Sequence, residues 1–176
     1  AGPLDCADAT FTTTTGTTTN TTVTLPSGDG SKGVGACVRD AAGNTASATD
    51  EIVLDTTAPA TISVECGSCT TTGTTVLTNA ANRQVVLALV ATDNLGVVAS
   101  ARIRVFDPNL GTFTTTTGAY TGTATVTLPN ADGAHAVLVS FLDPAGNASA
   151  EQGLTVTLDR AAPAASTPTI SGTVAD

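Results

Sequence analysis

The residues best able to do chemistry in this 176-residue chain are its four cysteines, Cys6, Cys37, Cys66 and Cys69. Cys66-Gly67-Ser68-Cys69 has C-x-x-C spacing, which serves a thiol redox couple, half of a metal site or a small disulfide loop. A redox pair wants a strand-to-helix junction, where the helix end lowers a thiol pKa. This pair sits instead in a Thr- and Gly-rich loop. Zinc wants a second ligand pair, and the single histidine, His135, is a poor substitute for one. Four cysteines allow three full pairings. In an oxidising compartment disulfides are the simplest outcome, and the expected pairing is Cys6–Cys37 with Cys66–Cys69. Inter-chain bonding is the alternative.

Acidic residues come next. Asp29, Asp40, Asp50, Asp55, Asp93, Asp107, Asp132, Asp143 and Asp159 all stand near turns. Their hard oxygens suit Ca²⁺ at the joints between units. No D-x-D-x-D-G loop occurs, however, and Asp in a turn usually caps its own backbone. Capping is therefore the expected role, with no cofactor and Ca²⁺ as the alternative. His135 has no Ser, Cys or Asp pattern around it, so it is expected on a strand surface and no catalytic triad is indicated. Lys32 lies in a turn, which argues against an isopeptide crosslink. Asn20 and Asn147 begin glycosylation sequons, although a turn role competes at Asn147. The Thr runs 12–15, 17–19 and 70–72 are expected to face solvent on strands, with O-linked sugars as the alternative. Enzymatic activity is not expected.

The elements that would position these residues are strands. After Thr61–Val64, the buried-looking run Val85–Ala91 leads to the turn Asp93-Asn94-Leu95-Gly96. Ala101–Phe106 alternates polar and apolar residues, which places Arg102 and Arg104 in water. Phe113–Thr117 and Ala124–Leu128 follow, and Asn130-Ala131-Asp132-Gly133 is a hairpin-type turn. His135–Leu142 sets Val137, Val139 and Phe141 on one face, with His135, Leu138 and Ser140 near the other. Leu154–Leu158 closes the unit. About seven short strands with turns between them describe an immunoglobulin-like sandwich of two sheets.

Part of this unit occurs twice. Val38-Arg39-Asp40-Ala41-Ala42-Gly43-Asn44 returns as Phe141-Leu142-Asp143-Pro144-Ala145-Gly146-Asn147. Phe11–Gly16 parallels Phe113–Gly118, Val23–Pro26 parallels Val126–Pro129, and Leu54-Asp55 parallels Leu158-Asp159. The earlier copy matches only the back half of the plan. Residues 1–57 are accordingly read as a partial module, 58–162 as a complete one, and 163–176 as a linker plus an opening or donor strand. That strand is Thr169, Ile170, Ser171, Gly172, Thr173 and Val174, which is like Thr61–Val64.

Composition narrows the class. The net charge of −9 with six basic residues argues against nucleic acid and anionic membrane surfaces. No apolar run approaches about 18 residues, so no helical membrane span is expected. The chain has 17 Gly, 8 Pro, no Trp and no Met, and β-branched residues dominate its apolar set, which favours strands. An acidic, lysine-poor chain opening on Ala1 fits an exported, processed protein.

With its D-x-A-G-N turns (Asp40–Asn44, Asp143–Asn147) and its L-D-x-x-A-P junctions (Leu54–Pro59, Leu158–Pro163), the chain resembles the bacterial immunoglobulin-like repeats of surface and secreted proteins. It departs from antibody-type domains, which carry a core Trp and an inter-sheet Cys pair. The resemblance implies an extracellular structural, adhesive or spacer role. The expected partners are copies of the chain itself, joined head to tail into a filament by strand addition, or neighbouring repeats of the same chain. A longer secreted repeat protein, in which these residues act as an adhesin, carbohydrate-binding or spacer module, is the alternative.

Overall fold

The computed structural model describes residues 6–7, 22–72 and 75–166. In chain order the strands are β1 (Gly30–Arg39), β2 (Thr45–Leu54), β3 (Ala60–Cys66), β4 (Thr70–Thr72), β5 (Thr75–Thr78) and β6 (Gln84–Thr92). They continue with β7 (Ser100–Asp107), β8 (Thr112–Ala119), β9 (Thr123–Thr127), β10 (Gly133–Leu142) and β11 (Gln152–Leu158). No helix occurs among the described residues.

From β3 onward the chain builds an immunoglobulin-like sandwich. One sheet has the order β3-β6-β9 and the other β4-β5-β11-β10-β7-β8. The chain crosses from the first sheet to the second after β3, so that β5 lies parallel to β11, with Val156 opposite Val76. The remaining pairings are antiparallel. The Thr-rich stretch after Cys69 therefore supplies two further strands: β4, the expected solvent-facing Thr run 70–72, and β5, which the sequence pattern did not single out.

Strand alternation makes the core. Val85, Leu87, Leu89 and Ala91 of β6 point inward with Val64 and Val126. They meet Ala101, Ile103 and Val105 of β7, Val137, Val139 and Phe141 of β10, and Val156 and Leu158 of β11. Such packing supplies most of the favourable free energy of a small sandwich. Between Thr61 and Ser63 the β3 register slips at a bulge, leaving Ile62 60% exposed.

Within the sandwich the structure corrects two sequence expectations. His135 is fully buried, because a period of two places it with Val137, Val139 and Phe141 rather than opposite them. Val85–Ala91 is buried on one face only, with Val86 and Val90 outside, because the β3-β6-β9 sheet turns its other face to solvent. Ser140 does lie on the outer face of β10, yet it is covered, since Arg102 Nε donates to its Oγ at 3.2 Å.

The earlier repeat is represented by β1 and β2, which pair along their whole length from Gly30↔Leu54 to Arg39↔Thr45. Val23–Leu25, expected as a strand by its likeness to Val126–Leu128, is not in one. The equivalent strand β9 is held by β6, and no counterpart of β6 exists among the described residues of this half. Phe11–Gly16 lies outside the described residues.

Phe141, fully buried and edge-on to Tyr120 at 5.6 Å, is expected to be costly to remove. Phe141→Ala should destabilise the fold by about 3–5 kcal/mol in denaturant unfolding, because it removes buried apolar surface and leaves a cavity. Val38→Ala, at a position 65% exposed, should stay within about 0.5 kcal/mol of the parent.

Candidate functional site

The two D-x-A-G-N turns are built alike. Asp40 Oδ1 accepts from Ala42 N at 2.9 Å and from Asn44 N at 2.8 Å, and Oδ2 accepts from Asn44 Nδ2 at 2.8 Å. Asp143 Oδ1 accepts from Gly146 N at 2.7 Å and Asn147 N at 2.9 Å, and Oδ2 accepts from Asn147 Nδ2 at 2.8 Å. Gly43 and Gly146 take φ of 92° and 95°, a region in which a side chain would be strained. These sequences fold this way because a short acceptor side chain gathers the N–H groups that a tight turn leaves unpaired.

The copies differ in surroundings. Asp40 is exposed, whereas Asp143 is 4% exposed and faces the link between β2 and β3. Asn147 Nδ2 also donates to the backbone carbonyl of Asp55 at 3.1 Å. This brings the end of the hairpin to the turns of the sandwich. Asp55, Asp93 and Asp143 each place a carboxylate oxygen within 4.8 Å of the others. Asp55 accepts from Thr57 N at 3.2 Å, and Asp93 Oδ2 from Leu95 N at 2.9 Å. Asp93 Oδ1 is buried with no hydrogen-bond partner among the described groups.

A fourth carboxylate, Asp29, braces the same seam. It accepts from Thr56 N at 2.9 Å, Thr56 Oγ1 at 2.7 Å and the Thr57 hydroxyl, and Asn94 Nδ2 donates to it at 2.7 Å. The matching position in the sandwich, Asp132, accepts from Arg160 N at 3.3 Å and Nε at 2.6 Å.

The charges respond to these settings. The Thr57 and Thr56 hydroxyls and the Thr56 N–H hold Asp29 well below the ordinary carboxylate range. Burial alone would raise Asp143, but the Asn147 side-chain amide and the N–H groups of its turn outweigh that and lower it. The Asn44 amide lowers Asp40, and Arg160 lowers Asp132. Asp55 moves the other way: burial raises it first, and the negative charges of Asp143, Asp93 and Asp29 add to the rise.

The remaining candidates are dispersed. Disulfides join Cys6 to Cys37 and Cys66 to Cys69. Ser68 Oγ accepts from Val86 N at 2.8 Å and Gly67 N donates to Val86 O, so the second loop is stitched to β6. Expected as a surface residue, His135 instead places Nε2 2.8 Å from Ala131 O inside the core edge. Asp50, Asp107 and Asp159 cap neighbouring N–H groups. Lys32 Nζ lies 3.5 Å from Ser27 O. Thr70–Thr72 is exposed strand. Asn20, the Thr runs 12–15 and 17–19 and the proposed donor strand Thr169–Val174 lie outside the described residues.

No family model matches the chain, and no curated protein does. Among solved structures it is similar to the fibronectin(III)-like modules of Clostridium thermocellum CbhA, at 13% identity and a TM-score of 0.44. That match covers 75% of this chain and 64% of the other. It is also similar to a beta-1,2-glucanase from Parabacteroides distasonis, at 16% identity and a TM-score of 0.35, covering 68% of this chain and 16% of that one. The chain thus spans less than two thirds of either relative.

Two measurements follow from this geometry. Asp29, Asp40, Asp132 and Asp143 stabilise the fold while ionised, and that contribution should disappear as pH falls below about 4. Asp55 has the opposite sign, since burial first and the neighbouring acids second disfavour its charged form. Melting temperature against pH should therefore drop on the acid side, and the drop should be shallower in Asp29→Asn. Separately, Cys6–Cys37 closes a separation of 31 residues and Cys66–Cys69 one of 3. In guanidinium unfolding, Cys37→Ser should cost about 2–4 kcal/mol of hairpin stability, and Cys69→Ser less.

Proposed function

We propose that the chain is a non-enzymatic, extracellular structural protein of immunoglobulin-like modules, acting as a subunit or segment of a surface filament. One observation carries the reading. β10 and β11 sit inside a six-stranded sheet, flanked by β7 and β5, whereas β1 and β2, built on the same turn, pair only with each other among the described residues. Among the described residues no further strand pairs with either outer edge, and Val38, Ile52 and Val53 are 65%, 50% and 63% exposed. Such edges recruit strands.

In this reading the missing strands come from a neighbouring module or from a second copy. Thr169–Val174, like β3 in sequence, is the donor strand. Head-to-tail donation does not close on itself and so makes a fibre. Two disulfides fit an oxidising, extracellular compartment. A spacer or adhesin role within a longer secreted protein is the second reading. It is favoured by the bonds that fix the hairpin to the sandwich at Asp29 and Asn147.

Sedimentation velocity and electron microscopy of the purified chain test the proposal. Concentration-dependent linear oligomers are expected, and Ile170→Lys with Val174→Lys should abolish them. A monodisperse monomer at high concentration would remove strand donation and leave the spacer reading.

A further inference from the structure

We infer that β8 is a self-complementary edge through which two copies of the chain pair antiparallel, joining their six-stranded sheets into one. β8 ends that sheet, and among the described residues no strand pairs with its far side. An open edge is a template for another strand, so proteins keep such edges short, charged, bulged or broken by proline. β3 carries a bulge and Glu65, β4 has three residues, and β9 has five and runs into Leu128-Pro129. β8 uses none of these devices. Its eight residues, Thr112–Ala119, include no charge and no proline, and all but Phe113 are exposed. Its register with β7 is unbroken from Ser100↔Ala119 to Asp107↔Thr112.

The backbone fixes which groups face outward. Tyr120 N donates to Ala99 O at 3.1 Å, just beyond the β7–β8 ladder. Hydrogen-bonded pairs alternate along an antiparallel ladder, so Thr112, Thr114, Thr116 and Gly118 turn their N–H and C=O groups to β7. Phe113, Thr115, Thr117 and Ala119 turn theirs to the free side. Two copies engage all four when Phe113 lies opposite Ala119 of the second copy and Thr115 opposite its Thr117. The two-fold axis then passes at Thr116. These four residues share one face of the sheet, so both faces continue across the junction.

The chemistry selects a neutral strand as partner. A net charge of −9 sets copies of the chain against each other, and contact along β8 brings no charged side chain of that strand together. The cations one strand in are already committed. Arg104 holds Glu151 and lies over the Phe113 ring, and Arg102 donates to Ser140. Threonine opposite threonine is a favourable cross-strand pair, and a second copy supplies it. A two-fold contact closes at two copies, whereas donation of Thr169–Val174 to the hairpin runs on, so the inference is independent of the filament. Phe11–Gly16, identical in sequence to Phe113–Gly118, is the competing occupant of the edge.

The test starts from the full chain carrying Ile170→Lys and Val174→Lys, which removes strand donation. Sedimentation velocity up to about 1 mM should show a monomer–dimer equilibrium, as a small interface implies. Adding Thr115→Glu with Thr117→Glu should weaken the dimer roughly tenfold or more, because the new carboxylates oppose each other across the axis. Each also lies beside Arg104 or Arg102 on β7, so the melting temperature of dilute protein should hold. Thr115→Glu with Thr117→Lys should restore the dimer. In hydrogen exchange the amides of Thr115 and Thr117 should gain protection only as concentration rises, with Thr114 and Thr116 protected throughout. A monomer at about 1 mM, a dimer indifferent to the paired carboxylates, or no rescue by the opposite charges would overturn the contact. So would concentration-independent protection of Thr115 and Thr117, which would give the edge to Phe11–Gly16 of the same chain.

Discussion

The carboxylate of Asp143, buried and holding three N–H donors of its own turn, is the interaction on which the seam between hairpin and sandwich depends. Without that acceptor, the tight turn would leave its amides unpaired in a site shielded from water, where each would carry the full desolvation penalty. With it, the turn becomes rigid enough for Asn147 to spend its second amide hydrogen on the carbonyl of Asp55. The same side chain therefore closes a turn and grips the preceding segment. Asp40 and Asn44 repeat the closure at the other copy, where the turn lies in solvent. Local sequence dictates the turn, while its neighbours decide whether it also becomes a joint.

How much of this is legible in the sequence depends on the range of the interaction. Strand positions from β6 to β11 follow from alternation, because period two and turn residues are local. The same rule, applied strictly, would have placed His135 beside Val137, since both have odd numbers along one strand. The Thr run of β4 was legible as exposed strand, but β5 was not, because four residues are too short to show alternation and are recruited by the edge of β11. The pairing of Cys66 with Cys69 is short-range, and Cys6 with Cys37 follows from elimination once the first is chosen. The convergence of Asp55, Asp93 and Asp143 could not be read at all. Each looks like an ordinary turn cap, and each is one; their meeting is a property of the two-sheet topology that brings three connections to one end.

Electrostatics at that end run against the usual practice of placing a base among acids. Asp132 at the far end of the sandwich is answered by Arg160, and Glu151 on its flank by Arg104, which also lies 4.4 Å over the Phe113 ring. At the seam, Asp29 is answered only by neutral donors, from Thr56, Thr57 and Asn94. These lower its pKa as a cation would, but leave its charge uncancelled, and Asp55 feels that charge. The two ends therefore solve the same geometric problem, an Asp gripping the residue after an L-D pair, one with the carboxylate charge paired to a cation and the other with it uncancelled.

That contrast bears on what holds the hairpin. A two-stranded sheet is marginal in water by itself, because it has no second layer on which to bury an apolar face. Here β1 and β2 bury little, with every residue of β2 before Leu54 exposed. Among the described residues, that order is supported by the Cys6–Cys37 bond, the Asp29 contacts and the Asn147–Asp55 bond. Two of those three lie at the seam, which ties the hairpin's position to the sandwich. Whatever changes the charge balance there changes the stiffness of the whole chain, which gives a mechanical meaning to a cluster of acids that no catalytic chemistry requires.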